Sequence, residues 1–77
     1  MSENNTAIYQ IRIRGQIDES WSDWLGGLMI TPQPNGETLL AGPIADQAAL
    51  HGTMDRLYAM NLSILSVVQV KNDREEV

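Results

Sequence analysis

The sequence holds one histidine, His51, and imidazole is the side chain whose ordinary pKa suits proton transfer near neutrality. Acid–base work also needs oriented partners within hydrogen-bond reach. With residues 46–60 read as a helix, Asp55 stands one turn beyond His51 and Tyr58 nearly two turns beyond. A Tyr-His-Asp proton shuttle can be drawn from these three. The plainer account puts His51 at the edge of an apolar stripe, bonded to a backbone group or exposed. Gly52, next to it, costs a helix interior about 1 kcal/mol against alanine. Its presence there predicts a close backbone approach.

Arg12 and Arg14 are two apart, so on a strand both guanidinium groups leave one face. Such a pair could grip a carboxylate or phosphate, or simply meet acidic residues across a dimer. Trp21 and Trp24 are the only tryptophans, and phenylalanine is absent. At least one of them is expected in the core. The functional reading is an aromatic platform or interface anchor, with Trp21, Trp24, His51, Asp55 and Tyr58 as the candidate ligand-binding set. Asp18, Glu19 and Asp23 lie close in sequence but lack the spacing of a calcium loop. Gly26-Gly27 carries no phosphate-loop or dinucleotide fingerprint.

These residues need elements to position them. Residues 8–14 alternate, with Tyr9, Ile11 and Ile13 on one face and Gln10, Arg12 and Arg14 on the other, which is the pattern of a half-buried strand. Residues 18–25 fit a short helix opening on Ser20-Trp21-Ser22-Asp23 as a loose capping box. Gly26-Gly27 would end it. Residues 28–31 and 38–41 read as a hairpin around Pro32-Gln33-Pro34-Asn35-Gly36, the second strand ending at Gly42-Pro43. Residues 46–60 are the clearest helix, with Leu50, Met54 and Leu57 as a stripe, Asp46 as cap and Asn61 as stop. Residues 64–70 form a last strand rich in β-branched side chains.

This order predicts an α+β fold, a ferredoxin-like β-α-β-β-α-β sandwich with its helices on one sheet face. The segment from Gly15 to Gly27 barely reaches the length of a parallel crossover. The alternative is an antiparallel meander with one main helix. Residues 7–70 make one domain, between flexible tails at 1–6 and 71–77.

Composition narrows the functions. The 77 residues include no cysteine, so disulfides, thiolate zinc sites and iron–sulfur clusters are excluded. One histidine rules out a multi-histidine metal site within a chain, and no cofactor is expected. A chain this short buries only roughly 60% of its unfolded surface, which makes a partner subunit the natural source of further burial. Ten acidic residues against five basic ones, a formal charge of −5, oppose a nucleic-acid role. The polar start Met1-Ser2-Glu3-Asn4-Asn5-Thr6 has no basic or apolar leader features, and no stretch approaches a membrane helix. A cytoplasmic location is expected, with no membrane partner.

The run Asp46-Gln47-Ala48-Ala49-Leu50-His51-Gly52, followed by Asn61-Leu62-Ser63-Ile64-Leu65-Ser66-Val67, resembles a pattern in short uncharacterised bacterial proteins. Those have a helix opening on Asp-Gln-x-Ala-Leu-His-Gly and a final strand with a Leu-x-Ser-Val pattern. The resemblance implies a bacterial source and a helix followed by a strand. It transfers no catalytic residue. In those proteins the final strand is often more basic, where this chain has Val68 and Gln69.

The faces of the sheet carry the strongest clue. Tyr9, Ile11, Ile13, Leu28, Ile30, Leu40, Leu65 and Val67 are assigned inward. The other parity holds Gln10, Arg12, Arg14, Met29, Thr31, Leu39, Ala41, Ile64, Ser66 and Val68, which is too apolar for bare solvent. The leading expectation is a non-enzymatic domain that self-associates through this face, using Arg12, Arg14, Met29, Leu39, Ile64 and Val68. It would serve protein interaction or small-ligand sensing, with a protein partner as a further candidate. The alternative is a cofactor-free isomerase- or oxygenase-like enzyme built as a dimeric barrel around His51. Nucleic-acid binding on the open face is disfavoured, because no aromatic stands there to stack bases.

Overall fold

The computed structural model describes residues 7–72. The tail expected at 1–6 and residues 73–77 of the one expected at 71–77 lie outside the described residues, while Lys71 and Asn72 belong to the last strand. Among the described residues there are four strands: β1 (Ala7–Arg14), β2 (Met29–Pro32), β3 (Glu37–Ile44) and β4 (Ser63–Asn72). One α-helix, α1 (Gln47–Ala59), joins β3 to β4. The strands form one sheet in the order β2-β3-β1-β4, and all three pairings are antiparallel. The fold is therefore α+β with a four-stranded antiparallel sheet and one main helix.

The β-α-β-β-α-β order does not form, because the expected first helix is only a three-residue 3-10 turn, Glu19–Trp21. Its cap is Asp18, whose Oδ1 accepts from the Ser20 amide at 3.2 Å; Ser20 itself caps nothing. Ser22 Oγ then donates to the Leu28 carbonyl at 2.7 Å. That bond curls the segment back toward β2. The Gly27 amide donates to the Ser22 carbonyl at 2.8 Å. Local side-chain bonds of this kind compete with helix propagation.

The β2–β3 hairpin does form. The Gln33 amide donates to the Glu37 carbonyl at 2.8 Å, and Gly36 takes the positive φ the turn requires. Strand β3 runs through Gly42-Pro43 instead of ending there. Pro43 lies beyond the last β2 pair, Met29↔Ala41, where β3 is an edge that tolerates a missing N–H.

Helix α1 starts as the sequence predicts. The Asp46 carboxylate accepts from the Ala49 amide at 2.8 Å. Asn61, at φ 67°, ends it. The Leu62 amide donates to the Leu57 carbonyl and the Asn61 amide to the Tyr58 carbonyl, a Schellman arrangement. Leu50, Thr53 and Leu57 are buried, with Met54 packed beside them. Gly52 has nothing within 4 Å of an added Cβ, so the predicted close approach is absent.

The core lies between the sheet and α1. Ile11, Ile13, Leu25, Leu28, Leu40 and Leu57 are its fully enclosed side chains. Leu25 and Leu28 come from the loop before β2, so this loop covers the sheet beside the helix. Thr38 is buried among them, and its hydroxyl donates to the Gly15 carbonyl at 2.6 Å.

Strand β4 departs from simple alternation. Its pairing with β1 shifts register between Arg12 and Ile13, and again between Ile8 and Tyr9. The first shift leaves Leu65 as the extra residue. Ile64 therefore pairs with Ile13 and packs against the core, although even alternation assigned it outward. Leu65, assigned inward, is exposed; Val67 keeps the inward side, opposite Ile11, but is only partly covered.

Candidate functional site

Paired residues in an antiparallel sheet share a face, so the registers define the uncovered side. One row across the sheet is Met29, Ala41, Gln10 and Val68. The next is Thr31, Leu39, Arg12 and Ser66, and a third sets Glu37 beside Arg14 and Ser63. The buried side chains of α1 and of the loop before β2 belong to the opposite, core face. Met29 is 68% exposed and Val68 51% exposed. Half-buried Ile8 and Leu39 add to the apolar content. Five of the six expected interface residues thus stand on this face: Arg12, Arg14, Met29, Leu39 and Val68. Ile64 does not.

Charge on this face is arranged around one carboxylate. Arg12 Nη1 lies 3.4 Å from Glu37 Oε1, on a diagonal across the β1–β3 pair. Arg14 is the direct cross-strand neighbour of Glu37. The sequence offered no reason to single out Glu37, because its relation to the arginines depends on the β1–β3 register.

The expected ligand-binding set divides into two surface groups. His51, Asp55 and Tyr58 all face solvent on α1, Tyr58 at 59% exposure. The apolar stripe turns the other way, through Leu50, Thr53 and Leu57. Trp21 and Trp24 are each 42% exposed, so neither is the core residue expected. Their rings meet edge to face at 5.7 Å. The Arg56 guanidinium sits 5.9 Å from the Trp24 ring centre, a cation–π contact that ties the loop to α1. Arg56 was not legible as part of this group, because nothing local places the loop against the helix.

A half-open hollow of about 240 Å³ lies where Leu25, Leu28, Pro43, Ile44, Ala49 and Thr53 meet. Its lining holds no ionisable side chain, and His51 is not among its walls. The Thr53 hydroxyl there already donates to the Ala49 carbonyl at 3.1 Å. The enzyme reading required His51 inside an enclosed pocket, and within one chain it lies outside. Among the described residues no cluster of three potential metal ligands occurs. No helix among them is long and apolar enough to cross a membrane.

Residues 8–68 match a family described as Domain of unknown function (DUF8691). The chain belongs to that family. No curated protein matches the chain, and no solved structure matches it. The DUF8691 match runs from β1 into β4 and so contains every open-face residue named above, the tryptophan pair and Arg56.

Proposed function

We propose that this domain works by self-association, with the open sheet face as the contact surface and protein interaction as its purpose. The observation that carries the reading is the composition of that face. Ile8, Met29, Leu39, Ala41 and Val68 put apolar side chains on all four strands, with Gln10 and Arg12 between them on β1 and Arg14 and Glu37 at one end. Apolar side chains, methionine and arginine together are the composition of a protein interface. A second copy is the occupant, because the face carries both signs of charge, Arg12 and Arg14 beside Glu37, so a two-fold contact can set the arginines of each copy against Glu37 of the other.

Light scattering on a sizing column tests the reading with Leu39→Lys, which places a third cation on the face. Wild type is expected to assemble at high micromolar concentration, and the variant to lose that contact with its circular dichroism unchanged. A wild-type chain that stays strictly monomeric refutes the reading.

A further inference from the structure

The loop before β2 and helix α1 form the layer over the core face, so the outer surface of that layer stays clear when the open face is covered. Two tryptophans stand on it. Trp21 and Trp24 are each 42% exposed, although Leu25 of the same loop is fully enclosed. Their rings meet edge to face, an arrangement in which Trp24 covers at most one face of Trp21. The Arg56 guanidinium lies over the Trp24 ring. One face of Trp21 therefore meets neither Trp24 nor Arg56.

Arg56 apart, the charge around the pair has one sign. Asp18, Glu19 and Asp23 bracket Trp21 in sequence and are exposed. From Gly15 to Asp55 the chain has no lysine or arginine. None of the three carboxylates makes an ion pair among the described residues. An exposed indole among such carboxylates favours a cation twice, through the ring quadrupole and through Coulomb attraction. Arg56 shows which cation suits this pair, because a guanidinium already lies against it.

We propose that this surface binds an arginine-bearing segment of a partner protein, with one guanidinium over the open face of Trp21 and neighbouring cations paired with Glu19 and Asp23. Charge complementarity selects the occupant. The chain carries −5, so a basic segment is drawn toward it. Three carboxylates within six residues, 18–23, call for more than one positive charge, which a peptide segment supplies and a single small cation does not. Asp18 adds charge while its Oδ1 holds the Ser20 amide. Binding here is independent of self-association, since the two surfaces lie on opposite sides of the sheet.

Calorimetric titration with hexa-arginine and with hexalysine at physiological ionic strength tests this on the full chain. Wild type is expected to bind hexa-arginine saturably and hexalysine about threefold or more weakly, because an ammonium does not stack on an indole. Trp21→Ala should weaken hexa-arginine about fivefold or more. Glu19→Gln with Asp23→Asn should weaken it about tenfold or more. Glu75→Gln with Glu76→Gln, the same charge change near the C-terminus, should cost less than about twofold. Circular dichroism checks that each variant is folded, and the paired charge variants leave the core untouched should Trp21→Ala fail to fold. Absence of saturable binding overturns the proposal. So does an affinity that Trp21→Ala leaves unchanged, or one that the two paired charge variants weaken equally, since the peptide then answers to net charge alone. Hexalysine binding as tightly as hexa-arginine overturns the guanidinium site.

Discussion

At Gly42 an added Cβ would stand 3.1 Å from Leu28 Cδ2, and Leu28 is itself enclosed in the core. Gly42→Ala must push that side chain off its packing and is expected to cost about 1–3 kcal/mol, read as a lower urea midpoint at constant m value. Gly52 has the opposite surroundings, with open space where the Cβ would go. Gly52→Ala should raise stability by about 0.5–1 kcal/mol, because only the helix preference of alanine remains. Both glycines were visible in the sequence, but the sign of each substitution depends on what lies opposite. Thr38 gives a third test. Replacing it by valine keeps its shape and strips the hydrogen bond from the Gly15 carbonyl, for an expected loss of about 1–3 kcal/mol in the same assay.

Helix α1 was legible because its start, stripe and stop agree with one another: Asp46, then Leu50 and Leu57, then Asn61. Asp46→Ala removes the acceptor for the Ala49 amide and should lower stability by about 1 kcal/mol, with loss of helical circular dichroism at the midpoint temperature. The segment 18–25 looked helical on the same kind of signals. It stops after one 3-10 turn although Asp18 caps it, because Ser22 bonds forward, its hydroxyl to the Leu28 carbonyl and its carbonyl to the Gly27 amide. Strand β4 shows a different limit. Its residues were read correctly as a strand, yet one extra residue at Leu65 exchanged the faces of everything before it. A bulge belongs to the pairing of two strands, so neither strand's sequence announces it. The open face survived this error because β1, β2 and β3 keep simple alternation, and those strands carry four of its five anchors: Arg12, Arg14, Met29 and Leu39. The size of a tryptophan side chain does not place it in the core here, because Leu25 and Leu28 of the same loop fill it.

For the molecule as a whole, the small core and the exposed apolar strips belong to one account. A chain that gains burial by assembling is stabilised by its own concentration. If it assembles through the open face, its thermal midpoint should rise as protein concentration rises, and Leu39→Lys should abolish that dependence. The absence of cysteine and the acidic balance had already excluded thiolate chemistry and disfavoured a nucleic-acid partner. The location of the apolar strips needed the register. The stacking of Arg56 on Trp24 has an optical consequence. Both indole rings sit at the junction of loop and helix and outside the core, so intrinsic fluorescence reports the latch between them. Should the latch open before the sheet melts, the emission maximum will shift red while the far-ultraviolet signal of the strands is still native. The two spectra, recorded on one sample, would then separate local opening from global unfolding without any added label.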